Sequence, residues 1–258
     1  MLVDRMRQNP KEPMIILTFF VAHWYASLFF QSFLQHRYAA HQQFTMSRIT
    51  ERIFMVLAWL AQGSSYLSCY AYGILHRLHH AYADTENDPH SPKYDGNFWR
   101  MMWRTRQYYS DIFDGSRPVE ERFRKNLPTW MAFERFAESW VTRLAWIAAY
   151  TGFYIAFATS WWMFLLLPVH YFMGPVHGAI INWFAHKFGT ADFEVNDTSR
   201  NLLPVDLLMM GESYHNNHHR FPSRPNFGVR WYQIDMVYPF IRLFHWMGII
   251  RLRPAVAG

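Results

Sequence analysis

Three short histidine clusters punctuate this chain: His36-x4-His41, His76-x2-His79-His80 and His215-x2-His218-His219. A fourth piece, Asn182-x3-His186, lies in an apolar stretch between the second and third. In a helix, residues at i, i+3 and i+4 share one face, so each His-x2-His-His can aim three rings at one point. Asn182 and His186 are four apart and would face the same way. His36 and His41 are five apart, roughly 140° around a regular helix, a spacing that suits a helix end or a bend. A lone histidine is usually a packed or surface residue. Two copies of one pattern, beside apolar segments, call for another explanation. Desolvating that many imidazoles is costly unless the rings gain partners, and a metal ion satisfies several at once. The nine histidines of these pieces are enough for two ions with mostly imidazole ligands. Any fold must therefore bring segments far apart in sequence to one place.

The apolar runs point to a membrane. Met14–Leu34 carries no formal charge over 21 residues, enough to cross a hydrocarbon core of about 30 Å. Leu144–Phe184 has 41 residues without Lys, Arg, Asp or Glu. That suits two antiparallel helices, 143–159 and 161–185, turning at Ala158-Thr159-Ser160 with Trp161-Trp162 as interfacial anchors. Residues 53–74 are also uncharged, but Gln62-Gly63-Ser64-Ser65 interrupts them. A full crossing there would put His41 and His76 on opposite faces, so this run reads as interfacial or re-entrant. The expected fold is all-α: a single domain, 1–258, forming an integral membrane bundle of three to four hydrophobic helices. A helical cap, 75–142 and 186–258, would hold the metals. Of the 25 Lys and Arg, 22 follow the first span, which places the cap in the cytoplasm. Arg5, Arg7 and Lys11 run against that tendency.

Smaller features bound the chemistry. The single cysteine, Cys69, excludes an internal disulfide and a Cys-based zinc site. No signal peptide is evident, because the first eleven residues are polar and no small-residue cleavage site follows the apolar run. The net charge of +6 suits acidic lipid headgroups or an anionic ligand as well as simple orientation bias. No nucleic-acid partner is expected. Metal-bound histidines need acceptors for their outer nitrogens. Asp84, Asp88, Asp206 and Glu212 are candidates for that role, with His90 a further partner beside the second cluster. His23, His170 and His177 lie in apolar segments and are expected to make hydrogen bonds between packed helices. Trp231–Ile250, with Pro239 in its middle, reads as two short amphipathic helices on the membrane surface.

The first cluster reads HRYAAH, the second HRLHH followed by DTENDPH, and the third GESYHNNHHRFP. Together with Asn182-x3-His186 these resemble the integral-membrane fatty acyl desaturases, especially the acyl-CoA type with three histidine boxes. The likeness runs from about Gln35 to Pro222. It implies that His36, His41, His76, His79, His80, His186, His215, His218 and His219 hold a non-haem di-iron centre, with Asn182 reaching one iron through a water. It also implies O2 as co-substrate, membrane lipids as surroundings, and a separate electron donor of ferredoxin, flavodoxin or cytochrome b5 type. The implied product is a cis alkene near the middle of an acyl chain of about 16–18 carbons, each buried methylene contributing about 0.8 kcal/mol to binding. Its carrier, CoA, acyl carrier protein or phospholipid, stays open. Only 35 residues precede His36, room for one span where animal members have two. The same scaffold also serves hydroxylases, alkane monooxygenases and carotenoid ketolases, and a lipid-sensing protein could keep the metals without catalysis.

Overall fold

The computed structural model describes residues 13–254; Arg5, Arg7 and Lys11 lie outside them. Helix α1 (Pro13–Phe30) is apolar all round and passes without a break into a π-helical segment, Gln31–Ala40. Among the described residues, Met14–Ala40 is the one unbroken helix long and apolar enough to cross a membrane. The widened turns answer the odd spacing of the first box. A π-helix bonds i to i+5, and the His41 amide donates to the His36 carbonyl at 3.1 Å in that pattern.

Strand β1 (Phe44–Met46) leads into α2 (Arg48–Gln62), whose first turn is capped by Ser47 accepting from the Thr50 amide at 3.1 Å. Phe54, Met55 and Ala58 face the core, while Ile49, Ile53, Leu57 and Leu60 face outward. The helix stops at Gly63, where φ is +54°, a value glycine adopts without steric cost. Gln62 and Gln35 exchange amide hydrogen bonds of 2.8 and 2.9 Å, fixing this break against the first helix. Helix α3 (Cys69–Tyr82) then starts from a Ser68 cap. The run 53–74 is thus divided between two helices and holds none of spanning length.

Helices α4 (Phe98–Asp114), α5 (Glu121–Arg124), α6 (Met131–Glu138) and α7 (Trp140–Phe157) follow. The segment expected as one helix, 161–185, is bent by 77° between Trp161–Tyr171 and Met173–Phe184. Pro175 explains the bend: a helix continued through it would press its ring on the Tyr171 carbonyl and lack a donor there. The two halves are a 3-10 turn leading into α8 (Leu167–Tyr171), and α9 (Met173–Ala179) leading into a π-turn, Ile180–Phe184. By length and apolarity the described residues offer one spanning helix, or two if the bent pair counts as one, against three to four expected. Helix α7, with Thr142 and Arg143 near its start, falls outside that class.

Residues 185–214 are irregular, and they lead into the six-residue α10 (His215–Arg220). The two helices expected in Trp231–Ile250 are one, α11 (Tyr238–Trp246), because Pro239 sits in its first turn, where proline is tolerated. Strand β2 (Ile250–Leu252) pairs antiparallel with β1, Thr45 opposite Arg251. The fold is mostly helical, but this small sheet amends the all-α expectation.

The main core lies under the first box. Phe33, Leu34, Phe44, Phe54 and Met55 pack there against Met209, Val237 and Ile241. Fully buried Arg37 crosses the same layer. It donates to Asp235 at 2.7 Å and to Ser32 at 2.5 Å, and it stacks on Phe227 at 4.0 Å. Asp235 in turn accepts from the amides of Phe227 and Val237. One ion pair thereby ties the first helix to the chain that follows the third box.

Candidate metal centre

The histidine boxes meet, and they sort into two groups. His36, His41, His76, His80 and His218 form one; His79, His186, His215 and His219 form the other. Within each group, one nitrogen from every ring lies within 4.8 Å of the rest. The expectation that each His-x2-His-His aims all three rings at one point is corrected. In both boxes the i and i+4 rings stay together and the i+3 ring joins the other group. Residues i+3 and i+4 point about 100° apart around a helix, so α3 and α10 each straddle both groups and hold them side by side.

Hydrogen bonds set which nitrogen faces inward. The Nδ1 of His36 pairs with Glu212 Oε2 at 2.6 Å, that of His79 with Asp88 at 3.0 and 3.1 Å, and that of His219 with Asp197 at 2.8 Å. His186 Nδ1 meets the Thr198 hydroxyl at 3.2 Å. A neutral imidazole has one donor and one acceptor nitrogen, so a proton held on Nδ1 by a carboxylate leaves the Nε2 lone pair free. Those lone pairs converge. Nε2 to Nε2 separations are 3.0 Å for His36–His218, His80–His218 and His186–His215, and 2.8 Å for His41–His76. The Nε2 atoms of His79 and His219 are buried with no hydrogen-bond partner. An unsatisfied buried acceptor costs about 1–3 kcal/mol, and a cation between the rings would satisfy all of them. The donor set fits a metal ion in each group.

Electrostatics agrees. Burial first, and crowding by neighbouring rings second, hold His41, His76, His80, His215, His218 and His219 well below the ordinary histidine value. They are neutral at pH 7, the form that binds metals. For His79 burial pulls the same way, but the Asp88 carboxylate overrides it and raises the value. Burial would also raise Glu212, yet His36, then Arg37 and Ser32, bring it down to about 2. Against burial, the His79 imidazole likewise holds Asp88 below the usual carboxylate range, so both carboxylates are charged at neutral pH.

The remaining candidates are placed as follows. Glu212 reaches His36 because Gly211 turns the chain at φ +100°, where a Cβ would lie 2.8 Å from the Asp235 carboxylate. Asp206 touches no ring: its oxygens accept from the amides of Met209, Gly211 and Ser213 and shape that same turn. Asp84 lies 3.9 Å from His186 and binds the Thr198 amide at 2.6 Å, so it orients the residue that holds His186. The His90 ring lies against His79 at 4.3 Å between centroids, with neither nitrogen hydrogen-bonded. Asp197 escaped the sequence reading. It sits 22 residues before His219 in irregular chain, and its only local sign is a turn in which Ser199 donates to its own carboxylate.

A cavity of about 50 Å³ opens against both groups, touching His36 and His76 of one and His215 of the other. Asn182 lines it, with Leu28, Tyr72, Ile181 and Met209. Between the apolar helices, His23 and His170 pair at 2.6 Å, His170 bonds Tyr154 at 2.8 Å, and His177 bonds Gln31 at 3.3 Å. These three rings join packed helices, as expected, and belong to neither group.

The architecture has relatives. The family model described as fatty acid desaturase matches residues 13–244. The chain is 32% identical to Delta-9 acyl-lipid desaturase 2 of Arabidopsis thaliana, over 83% of this chain and 66% of that protein. It is 30% identical to the sn-1 stearoyl-lipid 9-desaturase of Synechocystis sp., over 86% and 67%. It is 28% identical to the hex-5-enoyl-[acyl-carrier protein] acetylenase of Moorena producens, over 88% and 73%. The chain thus spans about two thirds of the length of these two desaturases. With the boxes in order and their rings gathered into two adjoining groups, the chain belongs to the fatty acid desaturase family.

Proposed function

We propose that this chain is an O2-dependent acyl desaturase that places a cis double bond near the middle of a saturated, lipid-linked or CoA-linked chain. The observation that carries the reading is the cavity that touches both histidine groups at once. A chain lying there would present adjacent methylenes to two metal ions. The nine histidines are the ligands in this reading, five in one group and four in the other, with Asn182 acting through a water. The names of two relatives, both acting at position 9 of lipid-linked chains by their titles, support the mid-chain position.

Imidazole alone does not select iron over zinc or copper. A bound pair of irons would supply the redox chemistry with O2 that removes hydrogen from an unactivated methylene pair, which zinc cannot. The chain's own residues do the rest. Glu212, Asp88 and Asp197 hold protons on Nδ1 and keep the inner lone pairs aimed. Leu28, Ile181 and Met209 give the cavity apolar walls against which a chain can pack and from which water is excluded. Electrons come from a separate carrier protein of ferredoxin, flavodoxin or cytochrome b5 type.

In the same reading 1–258 is one domain that crosses the membrane through Met14–Ala40, α7 and the bent helix, with both halves of the cap in the cytoplasm. Single cysteines at Thr85 and Arg224, on a Cys69-free background, should label only from the cytoplasmic side. Labelling from opposite faces would overturn this topology. The activity is tested by expression in a desaturase-deficient host with a working electron donor, followed by mass spectrometry of the fatty acids. A new mid-chain alkene is expected, and it should vanish in His79→Ala and His218→Ala. Alcohols in place of alkenes would assign a hydroxylase instead.

A further inference from the structure

Helix α4 turns one face away from the rest of the protein. Trp99, Trp103 and Arg106 recur at i, i+4 and i+7, one stripe of a helix, with Arg100 and Gln107 beside them, and all five are exposed. Trp99 and Trp103 leave 78% and 58% of their surface uncovered. Residues 98–110 contain no acid, and Asp111 and Asp114 come only in the last turn. Arg106 lies over the Trp103 ring at 5.2 Å. The opposite face is settled: Met101 and Ile112 are buried, and Ile112, Tyr108 and Tyr109 pack with Ile74 and Leu75 of α3.

Both parts of α4 are fixed at the ends of apolar helices. Phe98 meets Trp183 edge-to-face at 5.7 Å between centroids, and Trp183 stands in the π-turn that finishes the bent helix. Lys187 covers the same Trp183 ring at 3.5 Å. Further along, the Tyr109 hydroxyl donates to Glu138, the last residue of α6. Glu138 also holds Arg143, in the first turn of α7, at 2.6 Å. In the topology proposed above, residues 138–143 and 183–187 both lie at the cytoplasmic edge of the bilayer. A helix rises 1.5 Å per residue, so α4 runs along that edge for about 16 Å between Phe98 and Tyr109.

We propose that the exposed face of α4 seats in the headgroup layer of the cytoplasmic leaflet and gathers anionic phospholipid there. Tryptophan favours that layer because its ring is apolar and its N–H polar, and the arginine fork matches phosphate. An acid-free stripe carrying both residue types is complementary to a negatively charged lipid surface. The π-turn that receives Phe98 also carries Ile181 and Asn182 of the cavity wall. Lipid gathered along α4 therefore stands beside the place where an acyl chain would be held. The inference rests on the membrane placement proposed above and not on the reaction.

The test is a depth measurement on the full-length protein in nanodiscs of phosphatidylcholine, with or without phosphatidylglycerol. Nitroxide labels are placed singly at Trp103→Cys, at Val21→Cys, which is exposed on α1, and at Arg224→Cys, on a Cys69-free background. Collisions with O2, which partitions into lipid, and with a nickel chelate, which stays in water, report immersion. The Trp103→Cys label should sit about 5–10 Å into the boundary between headgroups and acyl chains, and deeper when phosphatidylglycerol is present. Arg100→Glu with Arg106→Glu should abolish that gain. The Val21→Cys label should lie in lipid and the Arg224→Cys label in water. A Trp103→Cys label as open to nickel as the Arg224→Cys label would overturn the proposal and leave the face to a protein partner. An unchanged depth after charge reversal would overturn it as well. If the Val21→Cys label also lies in water, the membrane placement itself fails, and the proposal with it.

Discussion

Replacing Glu212 by Gln tests whether the two histidine groups are separate metal sites. The Glu212 carboxylate accepts from His36 Nδ1 at 2.6 Å and from the Ser32 hydroxyl at 2.5 Å, and Ser32 itself accepts from Arg37 at 2.5 Å. A carboxamide cannot serve both partners. If its NH2 faces His36, two donors meet and the ring is driven to the other tautomer, which spends the inner lone pair on a proton. If the NH2 faces Ser32, the hydroxyl loses its acceptor and the bond to His36 loses its charge. Losing a charge-assisted hydrogen bond costs about 1.5–3 kcal/mol. The partners of metal-bound histidines typically contribute 10- to 100-fold to metal affinity, about 1.4–2.7 kcal/mol, so the two scales agree. Only the five-ring group contains His36. After dialysis against a chelator, elemental analysis should therefore show about half the wild-type metal in Glu212→Gln. Asp88→Asn, which strips His79 of its partner, should lose the other half. If either variant keeps its full metal, or if both lose everything together, the division into two groups is wrong.

Other consequences follow from the same geometry. Six buried rings have folded-state values well below the unfolded value of about 6.5. As pH falls through that value the unfolded chain takes up protons first, so metal-free protein should lose about 1.4 kcal/mol per pH unit for each such ring. Its Tm should be level above pH ~7 and fall steeply below ~6.5, and a flat profile would refute the neutral-ring picture. Asp235→Asn strands the fully buried Arg37 and should destabilise the fold by about 3–5 kcal/mol, read from thermal unfolding; a change under about 1 kcal/mol would mean the pair is not buried as described. Gly178 lines the cavity, and a Cβ there would meet only Asn182, at 3.9 Å. Gly178→Leu should fill the space and cut turnover at least tenfold, about 1.4 kcal/mol in the barrier, while metal content holds. Full activity in that variant would move the substrate elsewhere.

Much of the site was legible because imidazole clusters are rare and helical spacing is simple. The i, i+4 rings of the second and third boxes stay together, and His36-x4-His41, expected at a helix end or bend, falls where π-helical turns end at His41. The division of each box between two groups was not legible. It depends on how α3 and α10 face each other, a tertiary fact that no local spacing encodes. Carboxylates near a box in sequence were easy to nominate, and Asp88 and Glu212 indeed hold rings. Asp206 had the same appearance but serves backbone amides, and Asp197 reaches His219 across irregular chain. Among the hydrophobic segments, apolarity marked where helices lie but not where they bend. Pro175 was visible, yet a proline also fits the first turn of a helix, as Pro239 does. The pairing of β1 with β2 joins two three-residue strands some 200 residues apart, too short to leave a periodic signal.

The central claim is that two metal groups and one cavity together convert a methylene pair to an alkene. Single-turnover analysis tests it directly. Purified full-length protein is loaded anaerobically with ferrous iron, given a saturated acyl substrate and two electrons, and exposed to O2. Iron per chain and alkene per chain are then counted in the same sample. Alkene yield should rise in proportion to chains carrying two irons, with none formed by zinc-loaded or metal-free protein. Equal yield from metal-free protein, or O2 consumption by the iron-loaded enzyme with no alkene formed, would contradict the account.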